Sequence, residues 1–402
     1  MLRKPESEVA FVLTRIQKAE NEPIRPVVYA IALYFALAGV DSFRIGTIGS
    51  LLKLVALIPL VFAILDLRNL RIRFSATLVF QMLFLLLAVI SLFYSINVGK
   101  TLSSVKTLVL NLALVFVLGM MEQYNQRELQ FMQRALLAGG WITILLMLLF
   151  SDFSSGGRWT LLLGSETQDQ NYINGYFLYT FSWHCSRLLL EKKKIHIIPT
   201  IFILAVVLFT GSRGSLLAFI LVLFVQLCIN FARTKHTFRN IVLTVFLIAV
   251  LFVSFDLILA QMPESVAERF SWDYIAEKGT TGRSRVWAYL LQHFSEDSIP
   301  RMLFGHGYGT TMFVNPYGKV AHNLYIETLI AIGIVGVGLQ LAMQGAVVRI
   351  LFKYRQYPLL GAFLGMIGMC MSLSLAAYKP IWNIMLLALA IDFHEKSKSY
   401  SS

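Results

Sequence analysis

Two arginines and a histidine carry the clearest chemical options in this sequence. Arg213 lies in the turn Thr210-Gly211-Ser212-Arg213-Gly214-Ser215, just ahead of a long apolar run. A helix starting there presents unpaired backbone N–H groups and the positive end of its dipole to an anion. Gly211 and Gly214 permit close backbone approach, and the guanidinium adds a planar fork suited to phosphate oxygens. His322 and Asn323 open another apolar run, after the Gly-rich stretch Gly305-His306-Gly307-Tyr308-Gly309. A histidine titrating near neutrality can take a proton from a hydroxyl, although spacing alone does not choose between His306 and His322. Asn323 and Glu327, four residues apart, share one helix face and are placed to hold a sugar or orient a partner group. Arg283 shares helical spacing with Trp287, Leu290, Leu291 and Phe294, which predicts a short amphipathic helix near 283–294. Arg285 falls roughly 200° around that axis, with Tyr289 and Gln292. The bland alternative for each arginine is contact with lipid headgroups, and for the histidine a satisfied position at an interface.

The elements that must position these groups are membrane helices. A chain of 402 residues with 57% hydrophobic and 14% charged residues and a mean hydropathy of +0.68 is not an ordinary soluble globule. Apolar runs of spanning length fall near 26–43, 45–65, 74–94, 102–121, 135–150, 172–190, 195–210, 214–232, 241–260, 322–348, 358–377 and 380–393. The expected fold is therefore an all-α polytopic membrane protein of about 12 transmembrane helices, a single membrane domain over residues 1–402. The fifth, seventh and twelfth runs are short, so ten or eleven spans would also fit.

Lys and Arg set orientation through the positive-inside rule. With the N-terminus in the cytoplasm, the inside loops gather groups such as Arg68, Arg71 and Arg73, or Lys192, Lys193 and Lys194. The short outside loops hold about one each: Arg44, Lys100, Arg158, Arg213 and Lys379. Both termini are expected to be cytoplasmic, with Arg213, Arg283 and His322 on the outer face. The stretch from about Gln261 to Ala321, between the ninth and tenth spans, becomes a large extracytoplasmic loop, long enough to suggest function. Arg158, Asn171 and Lys106 offer further polar groups near that level, while Lys53, mid-way through the second span, and Asp256, near the outer end of the ninth, are costly charges there. The net charge of +13 follows from topology signals and anionic lipids, which act as partners here, and no nucleic-acid partner is needed. Cys185, Cys228 and Cys370 lie in apolar runs at wide spacing, against a disulfide framework or a Cys-based zinc site. Neither a phosphate-binding loop nor an HExxH-type metal motif occurs.

Three stretches taken together resemble the O-antigen ligase and O-antigen polymerase superfamily of bacterial membrane glycosyltransferases: LFTGSRGSLLAF around Arg213, TGRSRVWAYLLQHF with LFGHGYG around Arg283, and HNLYIETLIAIGIVG from His322. Their order and spacing make the likeness specific over roughly residues 170–340, whereas the first four spans agree only in topology. The segment DQNYINGY is similar to the family's Asp-x-Asn element, with Gln170 where proline is frequent.

The resemblance implies a GT-C-type membrane fold in the bacterial cytoplasmic (inner) membrane, with no metal or nucleotide cofactor. The donor would be a glycan carried on undecaprenyl diphosphate. It further implies that Arg213 and Arg283 hold the donor diphosphate and that His322 activates the acceptor hydroxyl, with direct displacement inverting the anomeric centre. Arg285, Asn323, Glu327, Arg158, Asn171 and Lys106 are the supporting candidates. The expected partners are this donor and an acceptor glycan, either a second lipid-linked repeat or a lipid A core. Polymerase is slightly preferred to ligase, and a lipid-linked oligosaccharide transporter is the rival from another class.

Overall fold

The computed structural model describes residues 23–41, 43–45, 49–65, 75–120, 124–152, 157–163, 166–233, 260–271, 273–274 and 282–401. The ninth apolar run, 241–260, falls almost wholly outside them, as does Asp256. The first half contains α1 (Pro26–Ala36), α2 (Leu51–Leu65), α3 (Ala76–Ile90), α4 (Val98–Met120), α5 (Gln126–Leu149), the short α6 (Gln170–Ile173), α7 (Leu178–Leu189), α8 (Ile197–Phe209) and α9 (Arg213–Arg233). The loop segment carries α10 (Glu264–Ala267), α11 (Arg283–Glu296), α12 (Ile299–Phe304) and α13 (Thr311–Val314), followed by α14 (Leu324–Lys353), α15 (Tyr357–Cys370) and α16 (Lys379–Ser401). Among the described residues, strands are limited to two- to four-residue antiparallel pairings, Arg44–Ile45 with Gly49–Ser50 and Thr160–Leu163 between Ser151–Asp152 and Glu166–Thr167.

Among the described residues, five helical segments are long and apolar enough to cross a membrane: Ala76–Phe93, Val98–Gly119, Gln126–Leu149, Arg213–Arg233 and Leu324–Lys353. The apolar helices α1, α2, α8 and α15 are shorter. The fifth span is longer than its apolar run because Asn125 and Glu128 form a reciprocal capping box that extends the helix back through polar residues. Glu128, buried there, also receives Arg25 at 2.9 Å through both Nε and Nη2.

The outer surface of these helices is that of a protein dissolved in lipid. Leu57, Val61, Ile64 and Leu65 of α2, Leu86 of α3, Leu148 of α5, Ile201 of α8 and Leu217 and Phe224 of α9 are all exposed. A patch of that extent is untenable in water but matches hydrocarbon. The interior instead holds polar residues that cross-link helices. Gln226 of α9 donates to the Tyr357 carbonyl at 2.8 Å, Ser182 of α7 to the Pro358 carbonyl at 2.7 Å, and Lys379 pairs with Asp41 at 2.8 Å.

The longest helix is broken where the loop segment docks. Ile332 (φ −136°) and Gly333 (φ 70°, ψ −170°) leave helical geometry inside α14, which frees carbonyls of the preceding turn. The Gly-rich stretch takes them: His306 N–H donates to the Ile330 carbonyl at 3.0 Å and Gly307 N–H to that of Ala331 at 2.8 Å. The approach is backbone to backbone. A β-carbon on Gly333 would overlap Leu303 main chain, and one on Gly305 would overlap that of Ala331. Gly333→Ala therefore combines a backbone region essentially reserved for glycine, costing about 1–3 kcal/mol, with a direct clash. A lowered unfolding midpoint in detergent is the expected result, larger than for Gly338→Ala, where a β-carbon meets nothing within 4 Å.

Candidate functional site

The turn between α8 and α9 is the first part of the site. Gly211 has φ 62°, and its carbonyl accepts Arg269 Nε at 3.0 Å. The neighbouring Thr210 carbonyl accepts Arg158 Nε at 2.9 Å. Two guanidinium groups thus converge on one turn, at a glycine whose missing side chain would have touched both. Gly214, by contrast, makes room for Ser372, since a β-carbon there would overlap the serine hydroxyl. The close approach read from that glycine is thus protein packing, at least in part. Beneath the turn, Asn174 Nδ2 donates to Thr210 Oγ1 at 2.9 Å and Ser215 Oγ to the Asn171 carbonyl at 3.2 Å.

Arg213 begins α9 itself, half-buried, with its guanidinium 5.7 Å from the ring centre of Tyr274. Arg269 lies 5.9 Å from the same ring centre, so one aromatic ring stands beside two cations. Arg158 Nη2 also reaches Asn171 Oδ1 at 3.4 Å. Asn171 in turn is held by Asp169, the N-cap of α6, whose Oδ1 accepts its N–H at 2.7 Å and its Nδ2 at 2.9 Å.

A second part is organised by the turn that follows α15. Arg283 starts α11 after Gly282 and donates through Nη1 to the Ser372 carbonyl at 2.8 Å. Asn323 caps α14 by accepting from Tyr325 and Ile326 N–H, and its Nδ2 donates to the adjacent Met371 carbonyl at 3.1 Å. Two helix starts that are forty residues apart in sequence are thus pinned to consecutive carbonyls. Glu327 closes the arrangement, its Oε1 accepting from Ala321 N–H and Ser374 Oγ, both at 2.7 Å. The Ala321 carbonyl accepts Trp287 Nε1 of α11 at 2.6 Å.

His322 sits inside this frame with φ 50°, in the left-handed region. Its ring is half-buried, and Nδ1 is buried without a hydrogen-bond partner among the described residues. Burial first, and then the charges of Arg283 and Lys319, push its pKa below the ordinary imidazole value, while Asp169 opposes them. Arg283 is lowered by burial and by Arg213 and Arg269, again against Asp169. Arg158 is pushed down to about 10 by burial and Arg269, with Arg283 adding to them. Arg283 thus lies close enough to influence both Arg158 and His322, and Asp169 opposes the lowering of all three.

The other candidates are distributed unevenly. Arg285 is exposed on the far side of α11, and Lys106 is exposed on α4. Lys53 is exposed in the first turn of α2, not mid-way along that helix. His306 is engaged elsewhere, with Nε2 2.8 Å from Asp297 Oδ2, so the structure separates two histidines that spacing left equivalent. A cavity of about 250 Å³ adjoins Glu327, lined also by Lys100, Ser103, Ser104, Thr107 and Ser374. Arg269, Tyr274 and the Met371–Ser374 turn were not singled out from sequence. The available signal for the turn was two serines interrupting an otherwise apolar run.

Fold and site define a polytopic helical membrane protein with a cationic cluster at one end of its helices. Residues 198–341 match the family model described as O-antigen ligase, a stretch that includes Arg213, Arg283 and His322. The match supports the O-antigen ligase and polymerase superfamily, and with it a membrane enzyme that transfers glycosyl groups. No curated protein matches the chain.

Proposed function

We propose that the protein transfers an oligo- or polysaccharide from undecaprenyl diphosphate to an acceptor sugar hydroxyl during assembly of a cell-surface polysaccharide. One observation carries this reading: Arg158 and Arg269 converge on the α8–α9 turn from which Arg213 projects, and Arg283, held to the Ser372 carbonyl, is close enough to Arg158 and His322 to lower both. Half-buried guanidinium groups gathered in this way offer planar forks suited to a dianionic group such as a diphosphate. In the proposed step His322 takes the acceptor proton and the hydroxyl oxygen attacks the anomeric carbon. The bond to the lipid diphosphate breaks, and Arg213 and Arg283 stabilise the charge developing on it. Direct displacement inverts the anomeric centre. The hydroxyl-lined cavity beside Glu327 is the space assigned to the acceptor.

The Lys and Arg distribution supports about twelve crossings, cytoplasmic termini and a cluster facing outward from the bacterial inner membrane. A transporter of lipid-linked sugars would place its polar groups near the membrane midplane, whereas these gather where α9 and α14 begin. Between the two transferase readings we favour the repeat-unit polymerase, since no feature is set aside for a core oligosaccharide. Purified protein given an undecaprenyl-diphosphate glycan with either a second lipid-linked repeat or a lipid A core is expected to elongate the former. Transfer to the core alone would make it a ligase, and transfer to neither would sink the proposal.

A further inference from the structure

At the far end of α11 a second cluster stands apart from the arginines. His293, in the last turn of α11, and Asp297, its C-cap, are four residues apart and share a face, and His306 reaches them from the Gly-rich stretch. One ring nitrogen from each histidine and one carboxylate oxygen lie within 4.8 Å of one another. His306 Nε2 and Asp297 Oδ2 are 2.8 Å apart, and the two imidazole centres are 5.3 Å apart at 33°. We propose that His293, Asp297 and His306 form a binding site for a divalent cation of the Zn²⁺ class.

Two imidazoles and a carboxylate are a donor set suited to zinc. Metal–ligand bonds of about 2.0–2.1 Å in tetrahedral geometry put the donor atoms about 3.3 Å apart. The His306–Asp297 contact would open slightly and the widest separation close by at most about 1.5 Å, within reach of side-chain rotation. A plain hydrogen bond accounts for His306 and Asp297 but not for the second imidazole beside them. The site is also built in advance. His306 is 8% exposed and its main chain is fixed on both sides, N–H to the Ile330 carbonyl and C=O from Ile96 N–H, both at 3.0 Å. The His293 ring lies parallel to Tyr289, with centres 6.2 Å apart and 6° between planes.

Three protein ligands leave a coordination position for water. His293 is ten residues along α11 from Arg283, about 15 Å at 1.5 Å per residue, so the cation does not touch the arginine cluster. Its effect is to clamp α11 to the stretch that fills the break in α14, and the inference is independent of the glycosyl-transfer reading.

The test uses the full chain without a polyhistidine tag, purified in detergent, stripped with a chelator and dialysed. Titration with Zn²⁺ is expected to load one ion per chain and raise the unfolding midpoint, and Co²⁺ is expected to give visible bands of a four-coordinate site. His293→Gln, on a partly exposed helix face where folding is not at risk, should weaken Zn²⁺ binding at least tenfold, and Asp297→Asn likewise. His196→Gln serves as control, because His184 and His196 form another imidazole pair with Nδ1 atoms 2.9 Å apart; it should leave the stoichiometry unchanged. No Zn²⁺ uptake by the wild type at 100-fold excess over protein, unaltered uptake by His293→Gln, or loss in the control instead would each overturn the proposal.

Discussion

Replacing His322 with asparagine is expected to lower the rate of glycan transfer about 10²–10⁴-fold, the usual contribution of a positioned general base, with the protein still folded in the membrane. Asparagine is the informative choice because His322 holds φ at 50°, and asparagine adopts left-handed backbone more readily than most residues. The frame that enforces this conformation does not use the imidazole: Glu327 grips the Ala321 N–H, Trp287 the Ala321 carbonyl, and Asn323 caps the helix that follows. Alanine removes the same base but adds backbone strain, so a comparison of the two variants separates chemistry from folding. Near-normal transfer by the asparagine variant, measured with saturating donor, would rule out the base.

The same histidine is expected to set the pH response. Its folded pKa is lowered by burial and by Arg283 and Lys319, so the neutral, proton-accepting form prevails at pH 7. It is lost only as pH falls below the ordinary imidazole value of about 6.5. The acid limb of kcat/KM, which reports the free enzyme, is therefore expected below that value. Bound diphosphate brings negative charge near the ring and favours the imidazolium, so the limb in kcat should lie at higher pH than the limb in kcat/KM. Lys319, exposed and outside the hydrogen-bonded frame of His322, provides a mild probe. Lys319→Gln removes a charge that lowers the histidine and should shift the kcat/KM limb upward, whereas a limb unmoved by both donor and Lys319 would assign it to another group.

Much of this architecture was readable because the strongest signals are local. An apolar run of spanning length and a cation at its end need no tertiary knowledge, and Arg213, Arg283 and His322 each stand at a helix start. Asn125 and Glu128 also announced their capping box at the right spacing, although an average over apolar residues began that span nine residues late. What stayed hidden depends on pairing at a distance. The Gly-rich stretch invited comparison with a nucleotide loop, yet its glycines answer a break in a helix almost thirty residues further on. Arg269 lies in a 3₁₀ turn of three residues that follows the four-residue α10, too short a stretch for periodicity to mark a face. The serines at 372 and 374 vanish into a hydrophobic run, although their turn fixes the positions of Arg283, Asn323 and Glu327.

The arginines around that turn are expected to separate into two kinds. Arg213→Ala should cost transfer about 10²–10³-fold, the scale of losing one preorganised donor to developing negative charge, with little change in stability. Arg283→Ala should cost a similar factor and also destabilise, because its Nη1 satisfies the Ser372 carbonyl and a hydrogen bond from a charged donor contributes roughly 1.5–3 kcal/mol. Lysine at either position keeps a charge but not the fork, so partial recovery should show in donor KM more than in kcat. If both residues grip one diphosphate, the double alanine variant should lose less than the product of the single losses, because removing one contact already misplaces the group for the other. Arg158 and Arg269 differ in kind: their Nε atoms hold the Thr210 and Gly211 carbonyls, so Arg269→Lys should loosen the turn from which Arg213 projects. Strictly multiplicative losses for Arg213 and Arg283, measured with one donor, would mean that they act on different groups, and the shared-diphosphate assignment would then fail even if both residues proved essential.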